Sequence, residues 1–245
     1  MEDIQSIMAS DIRKLKRAEN EIQLNTRELL WAEIFHDTII GSKWMKDKKL
    51  KLGRAAIGYN LAYVLYRILD EIQPENILEI GLGESTQIIF QYMKMRKRRG
   101  KHICVEQNAE WIEFWKKSHK LSAKSSICCL PVDKGSYNEC ENILVYQGFE
   151  RFKNFKWNLI LVDGPLQTEC ESYRRIDILK ILPDCLSEQW IIIFDDFNRQ
   201  PDKNAVNAVI ELLKKNDIEY CEGIYKGKKD VCVLCSTNLY YVTTM

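Results

Sequence analysis

The sequence lacks the features that define several large classes of protein. No apolar run approaches the roughly 20 residues that a membrane-spanning helix requires, so no membrane span is predicted. The first residues are acidic and no apolar signal core follows them, so no secretion signal is predicted. The 36 basic and 35 acidic residues leave a formal charge of +1, which favours neither an acidic nor a basic partner.

Cysteine is present, but not in the arrangement of a structural metal site. The nine cysteines are an odd number and are scattered, and Cys232 and Cys235 alone have the spacing of half a zinc site. No second pair and no nearby histidine completes that site. Several cysteines lie in apolar stretches, where a thiol behaves as a small hydrophobe, so we expect a reduced, cytoplasmic protein.

Glycine is absent before Gly41, and the preceding residues have the pattern of helices. Apolar residues recur there at spacings of three and four, which marks one face of a helix. These are Ile4, Met8, Ile12 and Leu15. We expect residues 1–54 to form a helical extension that packs on the core or on a second subunit, which would give a homodimer. A lid or substrate-recognition element is the alternative.

Residues 55–245 have the length and apolar content of one α/β domain. The sequence predicts a helix over 55–72, strands at 102–105, 127–132, 157–162 and 189–194, and a helix that contains Arg174 and Arg175 and runs to about Leu182. Residues 137–155 are predicted to form a short helix with a variable connection. An antiparallel hairpin at 218–235 is predicted to close the sheet.

The stretch 76–86 has the pattern of a strand, a glycine turn and the start of a helix. Asn76 to Ile80 is short and apolar, which favours a buried strand. Gly81 and Gly83 permit backbone angles that other residues resist, and they let a ligand approach the main chain. Ser85 or Thr86 can cap the next helix, whose free N–H groups would face the ligand. Doubly wound α/β sheets hold nucleotide-like cofactors with such a unit.

Acidic residues stand at the ends of successive predicted strands. They are Glu79, Glu106, Asp163, Asp195 and Asp196, with Asp133 as a weaker further member. Ligands of such sheets gather at the carboxyl ends of the strands, so we expect these acids to converge on one cleft. Glu106 would accept the hydroxyl hydrogens of a ribose, and a surface helix cap is its alternative role. Carboxylates from neighbouring strands also offer the oxygen ligands that Mg²⁺ or Mn²⁺ prefers.

Together these motifs resemble those of the class I S-adenosylmethionine-dependent methyltransferases. In that superfamily an acid-x-Gly-x-Gly turn follows the first strand, an acid ends the second, and a reversed hairpin closes the sheet. Residues 79–83, Glu106 and the stretch 218–235 match in order and spacing. The resemblance covers residues 55–235. It implies a Rossmann-like, doubly wound and mostly parallel seven-stranded sheet with a C-terminal antiparallel hairpin.

Two finer resemblances concern the acids after the later strands. Residues 162–165 and 193–199 are similar to a polysaccharide-type branch that includes the plant glucuronoxylan methyltransferases. The acids also stand where the catechol-type O-methyltransferases bind a divalent metal, which implies Asp163 with Asp195 and Asp196 as ligands. That second group carries a catalytic lysine at the position of Leu166, so the base is not indicated by the resemblance.

The resemblance implies a role for each motif in methyl transfer. Gly81 and Gly83 would leave room for the methionine portion of S-adenosylmethionine, and Glu79 would receive its amino group. Ser85 and Thr86 open the helix beside it, and Glu106 would bind its ribose.

On the acceptor side, Asp163 or Asp196 would act as general base, or a metal would lower the pKa of the acceptor hydroxyl. The expected acceptor is a small molecule or a glycan. Three basic residues are candidates for holding an acidic acceptor such as a uronate, with surface ion pairs as the alternative. These are Arg174, Arg175 and Arg199.

Three other functions fit parts of the sequence. A nicotinamide-dependent oxidoreductase would use a similar sheet, but it predicts a third glycine where Thr86 stands. A non-catalytic partner could keep the fold and act through its N-terminal helices. Nucleic-acid binding would rest on the basic run at 94–101 alone, which a helix C-terminus explains without it, so it is not expected.

Overall fold

The computed structural model describes residues 2–53, 56–97, 99–119, 122–167 and 172–245. Its strands are β1 (Asn76–Ile80), β2 (Lys101–Glu106), β3 (Ser125–Cys129), β4 (Val132–Tyr137), β5 (Cys140–Tyr146), β6 (Trp157–Val162), β7 (Leu186–Phe194), β8 (Cys221–Tyr225) and β9 (Val231–Cys235). Its α-helices are α1 (Glu2–Ile39), α2 (Tyr59–Arg67), α3 (Glu84–Met95), α4 (Ala109–Ser118) and α5 (Gln200–Lys215).

Seven strands form one sheet in the order β3-β2-β1-β6-β7-β9-β8. The first five are mutually parallel, β9 is antiparallel to β7, and β8 is antiparallel to β9. Ile80 pairs with Val105 on one side and with Val162 on the other, which aligns the carboxyl ends of β1, β2 and β6. The predicted mixed α/β fold, with its mostly parallel sheet and closing hairpin, is confirmed.

Apolar side chains cover both faces of the sheet, as expected for strands that lie between helices. Ile77 of β1 packs with α1, α2 and α3 on one face. Leu78 and Ile80 face the opposite side, where they pack with α5 and the residues that follow β5. The alternation within β1 therefore fixes the register that brings its last residues to the functional edge.

The N-terminal extension contains one long helix rather than the predicted set of helices. Its C-terminal end is anchored, because Phe35 and Ile39 are buried and Trp31 Nε1 donates to Lys226 O at 2.8 Å. Residues 6–22 of the same helix are almost wholly exposed. None of the helices in the described ranges combines the length and apolar character of a membrane span.

Three local predictions are wrong. The third strand ends at Cys129, and Val132 and Asp133 belong to β4 of a separate two-stranded sheet. The predicted helix within 137–155 is instead the rest of the β4–β5 hairpin, followed by a 3-10 turn at Phe149–Phe152. Arg174 and Arg175 precede a 3-10 turn, because Arg175 adopts a left-handed backbone with φ 57°, which an α-helix cannot contain.

Other predictions fall partly on residues outside the described ranges. The boundary between 54 and 55 lies there, as do the predicted helix start at Ala55, the side chain of Ile4 and Arg98 of the basic run. Within the described part of 55–72, residues 56–58 are not helical, and the helix consists of α2 with a π-helical continuation at Ile68–Ile72.

Candidate cofactor cleft and acidic cluster

A cleft of about 530 Å³ opens at the carboxyl ends of the parallel strands. Its walls come from Gly81–Leu82 after β1, from 106–108 at the end of β2, from Asp163–Gly164 after β6 and from Asp196 after β7. The predicted strand-end acids Glu106, Asp163 and Asp196 therefore meet in one cavity. We call it the central cleft.

Every amide of the glycine turn has a protein partner. Gly81 N donates to Val105 O at 2.8 Å, and Leu82 N donates to the Glu106 carboxylate at 3.0 Å. Gly83 N donates to Thr86 Oγ1 at 3.0 Å. A phosphate-binding turn offers such N–H groups to its ligand. In this turn all three N–H groups are already bonded to protein atoms, although the turn has the strand–glycine–helix arrangement of a nucleotide-binding loop.

The two glycines of the turn serve different purposes. Gly81 has φ 107°, and a Cβ there would lie 3.2 Å from the Asp163 carbonyl carbon and the Gly164 nitrogen. It is therefore required for the close approach of the β1 and β6 loops. A Cβ at Gly83 would meet no atom within 4 Å, so this glycine borders open space.

Glu79, Ser85 and Thr86 lie beneath the turn and are buried. The Glu79 carboxylate accepts a 2.5 Å hydrogen bond from Ser85 Oγ, and His102 Nε2 lies 3.1 Å from its other oxygen. Thr86 caps α3 through its bond from Gly83 N. All three support the floor of the turn, and their predicted contacts with a cofactor stay predictions.

Glu106 is fixed at the tip of β2 by main-chain donors. One of its oxygens accepts from Gln107 N and Asn108 N, both at 2.8 Å, and the other accepts from Leu82 N. Trp111 stands beside it at the start of α4, 39% exposed, with its Nε1 donating to Leu82 O. A carboxylate and an indole therefore adjoin on one wall of the central cleft.

The central cleft also carries features that sequence reasoning missed. Tyr146, at the end of β5, is buried and its hydroxyl has no protein partner. Burial raises the pKa of this phenol well above its usual value, so it stays protonated and can donate. Gln107 and Leu166 exchange two hydrogen bonds of 3.1 and 3.2 Å, which link the β2 and β6 loops. Because the sequence did not predict β5, no pattern marked Tyr146 as a residue of the site.

Asp163, Asp195 and Asp196 form an acidic cluster with oxygen atoms within 4.8 Å of one another. Asp195 is fully buried, and neither of its carboxylate oxygens has a hydrogen-bond partner. Asp196 has φ 60°, a left-handed backbone that a non-glycine residue adopts at a cost. Such a conformation persists where surrounding contacts hold it.

The contacts that hold this acidic cluster come mainly from Arg175. Its side chain is 6% exposed, and its Nη2 lies 2.9 Å from Asp163 Oδ1 and 2.8 Å from Asp196 Oδ2. Its Nη1 donates to the Asp195 carbonyl at 2.8 Å and lies 3.3 Å from Asp202 Oδ1. One guanidinium thus contacts four aspartates. Sequence reasoning identified Arg175 as a candidate anion binder for an acceptor, not as the centre of this cluster.

Two further cations flank the cluster. Arg199 Nη1 pairs with Asp196 at 2.9 Å, and Lys229 Nζ lies 3.8 Å from Asp196 and 3.9 Å from Asp195. Lys229 reaches the cluster from the β8–β9 turn, so no local motif connects it with the acids. Three cations thus face four carboxylates.

The surroundings set the protonation of the acids. Burial raises the pKa of Asp163 to about 6, while Arg175 opposes the rise and Asp196 adds to it. Burial raises the pKa of Asp195 to about 8, and the charges of Asp163 and Asp196 add to that rise. Asp195 is therefore mostly protonated at neutral pH, which balances the charge of the cluster.

The acidic cluster as arranged does not fit a divalent ion. Mg²⁺ and Mn²⁺ need several oxygen ligands at close range, and Asp163, Asp195 and Asp196 supply carboxylates near enough for that. The Nη2 atom of Arg175, however, already bridges two of the three predicted ligands. A metal bound by all three would have to displace it, and the metal site stays a prediction.

A second cavity of about 410 Å³ adjoins the central cleft, and we call it the side chamber. The two share Asp196, Arg199 and Lys229. Tyr59 and Lys228 also line the side chamber, and α1 contributes Glu28, whose Oε1 accepts from Tyr59 N at 3.1 Å. The N-terminal helix therefore packs on the domain and also forms part of a cavity wall.

Comparisons with known proteins bear on the fold. No protein-family model matches the sequence, and no curated protein matches it. The chain is similar to the structure of a candidate O-methyltransferase from Klebsiella pneumoniae, with a TM-score of 0.58 at 12% identity over 87% of this chain and 98% of that one. It is also similar to the O-methyltransferase TomG from Streptomyces achromogenes, solved in complex with S-adenosylmethionine, with a TM-score of 0.53 at 10% identity over 85% and 97% of the two chains.

At these identities the likeness shows that the chain has the fold of these O-methyltransferases. It lends no support to the polysaccharide-type branch predicted from residues 162–165 and 193–199.

The pKa of Asp195 generates a prediction about stability. Its pKa is raised from 3.8 to about 8 on folding, so the native state binds the extra proton between these values. The stability contributed by this proton is present at low pH and is lost as pH rises towards 8. Asp195→Asn should therefore have the higher melting temperature at pH 9 and a similar one to the wild type at pH 4.5. Thermal unfolding across this range measures the difference.

Asp133→Asn is the control, since Asp133 is exposed on β4. The difference between its melting temperature and that of the wild type should be the same at every pH. A destabilisation by Asp195→Asn that is equal at all pH values would contradict the prediction.

Proposed function

We propose that the protein is an S-adenosylmethionine-dependent methyltransferase that acts on a hydroxyl oxygen of a small-molecule or glycan acceptor. The observation that carries this proposal is the glycine turn, whose three amides bind Val105, Glu106 and Thr86. The turn itself, residues 81–83, therefore offers no unpaired amide to a pyrophosphate, and the Glu106 carboxylate beside it can accept from a ribose. S-adenosylmethionine has a ribose and no phosphate, whereas a nicotinamide dinucleotide has both.

The walls of the central cleft match the parts of this cofactor. Glu106 is the ribose acceptor, and Trp111 beside it offers a face for the adenine ring. Gly81 and Gly83 leave space for the methionine portion, and the free hydroxyl of Tyr146 is an additional donor in the same cavity. TomG, which shares the fold, was solved in complex with S-adenosylmethionine, and this supports the choice of cofactor.

The residues beneath the turn act indirectly in this proposal. Glu79 holds Ser85 and His102 in place of a cofactor amino group, and Thr86 holds Gly83. Together they would keep the turn in the geometry that Glu106 requires. Their substitution would therefore lower cofactor affinity through the shape of the turn.

The acceptor would be activated by the acidic cluster. When bound, S-adenosylmethionine supplies a methyl group on a positively charged sulfur, which is already a good leaving group. Asp163 lines the central cleft with a side chain that is 28% exposed, and with its pKa of about 6 it can take the acceptor proton near neutral pH. Asp196 is the other proposed base, although two arginines hold one of its oxygens.

The side chamber is the proposed place for the acceptor. It meets the central cleft at Asp196, Arg199 and Lys229, so an acceptor there would present its hydroxyl beside the acids. Holding both reactants at this junction would supply the alignment that methyl transfer requires.

Cofactor binding tests the proposal first. Calorimetry should show S-adenosylmethionine binding and no NAD⁺ or NADH binding. Glu106→Ala should weaken S-adenosylmethionine binding by about 1.5–3 kcal/mol, because charge-assisted hydrogen bonds to the ribose are lost. Glu110→Ala is the control, since Glu110 is exposed on the adjacent helix α4.

Tight NAD(H) binding without S-adenosylmethionine binding would overturn the proposed function. Unchanged affinity in Glu106→Ala would remove only Glu106 from the site.

Turnover tests the role of Asp163. With methyl-labelled S-adenosylmethionine and a panel of hydroxyl-bearing acceptors, Asp163→Asn should lower methyl transfer by about 10²–10⁴-fold, because the proton acceptor is lost. Cofactor affinity should change little, and Asp133→Asn should retain full activity. Equal turnover in wild type and Asp163→Asn would refute this role.

We also propose that the protein forms a homodimer through α1. Apolar residues lie at every seventh position of its exposed part, which is the repeat of a helix that pairs with another. Their exposed fractions are 59% for Met8, 70% for Leu15, 66% for Ile22 and 72% for Leu29.

Sedimentation tests this assembly. The double variant Leu15→Glu with Ile22→Glu should sediment as a monomer at concentrations where the wild type is a dimer, because charge would replace the apolar contact. The matched control Asn20→Glu with Gln23→Glu changes charge equally on another face of the helix and should stay dimeric. A monomeric wild type at all concentrations would contradict the proposal.

A further inference from the structure

We infer that Arg175 is a built-in cation that takes the place of a divalent metal ion in the acidic cluster. Strand-end carboxylates that converge within a cavity must be balanced by positive charge. In this protein the balancing charge at the centre belongs to a side chain. The cluster would then hold its catalytic geometry without Mg²⁺ or Mn²⁺.

The position of the guanidinium supports this inference. Its Nη2 atom lies 2.9 Å from Asp163 and 2.8 Å from Asp196, so it bridges acids that follow two different strands, β6 and β7. Its Nη1 atom reaches the Asp195 carbonyl and Asp202. A planar fork with several donors can hold separate carboxylates in fixed relative positions, which a lysine cannot do as well.

The backbone shows that this position is imposed by the fold. Arg175 and Asp196 both have left-handed backbones, with φ of 57° and 60°. Neither residue is glycine, so each conformation is costly on its own. The two strained residues are ion-paired with each other, and the pair is almost completely buried. The contact therefore stabilises two turns that the sequence does not favour locally.

The side chain and a metal ion exclude each other. An ion shared by Asp163, Asp195 and Asp196 would need the space and the oxygen atoms that Nη2 now uses. It would also stand beside a guanidinium of the same sign, in a buried setting where repulsion is poorly screened. Removing the guanidinium should free these oxygens for a metal.

Metal binding tests the inference without any acceptor. Free Mn²⁺ is measured by electron paramagnetic resonance as it is titrated into wild type, Arg175→Gln, Arg175→Lys and the control Arg96→Gln. Arg96 is a matched control because it is a buried arginine paired with Glu75 away from the cluster. Arg175→Gln should bind one Mn²⁺ about tenfold more tightly than wild type, since the carboxylates of Asp163 and Asp196 lose their competitor.

The variants Arg175→Lys and Arg96→Gln distinguish the exclusion of a metal by Arg175 from a general stabilisation of the fold. Arg175→Lys keeps a cation and should bind Mn²⁺ as weakly as the wild type. Arg96→Gln loses a buried arginine and should gain no Mn²⁺ binding. A gain confined to Arg175→Gln is a result that a merely structural arginine would not give.

Two results would overturn the inference. One is stoichiometric, micromolar Mn²⁺ binding by the wild type that Asp195→Asn abolishes. The other is a folded Arg175→Gln that binds Mn²⁺ no better than wild type. If Arg175→Gln folds only when Mn²⁺ is present, the inference is supported. If it folds in neither condition, the wild-type and Asp195→Asn titrations decide.

The inference rests on the proposed function only in treating the acidic cluster as catalytic. Calorimetric titration of S-adenosylmethionine into the same wild-type sample separates the two. If S-adenosylmethionine does not bind, the proposed function is wrong, but the conclusion from Mn²⁺ binding is unaffected.

Discussion

The ion pairs around Arg175 are the constraint on which the functional edge of the sheet depends. Burying carboxylates is costly unless they are paired, and here Asp195, Asp196 and Asp202 are each less than 4% exposed. One guanidinium pairs with the carboxylates of Asp163, Asp196 and Asp202 and donates to the main-chain carbonyl of Asp195, so it joins the loops after β6 and β7 with the start of α5.

Much of the sheet could be predicted because its signals are local. Residues 76–86 carry a strand, a turn and a cap in one continuous stretch, and Glu106 directly follows the apolar residues 103–105 of its strand. The acids could be placed at one edge because parallel strands share a direction. By contrast, the pairing of Arg175 with Asp196 joins residues 21 positions apart, and both adopt backbones for which the sequence gives no signal. Lys229 enters from a still more distant hairpin.

The β4–β5 hairpin was missed for a related reason. Lys134 and Gly135 interrupt any alternation of apolar and polar residues in β4, and the hairpin pairs only with itself in a two-stranded sheet. Its value to the site lies at one residue, Tyr146, which lines the cleft and whose buried hydroxyl has no protein partner. Local pattern could not have distinguished that tyrosine from the core tyrosines.

Two glutamates of the same motif show how environment decides the chemistry of a residue type. Glu79 is wholly buried and bound to Ser85 and His102, so its carboxylate stabilises the fold. Glu106 is held by main-chain amides, so both its oxygens stay fixed in position at the cleft wall. A ribose-accepting acid at this place is common to both kinds of cofactor, so the amides of the turn distinguish them. Residues 81–83 hold in protein hydrogen bonds the amides that a diphosphate would need and that a cofactor without phosphate would not.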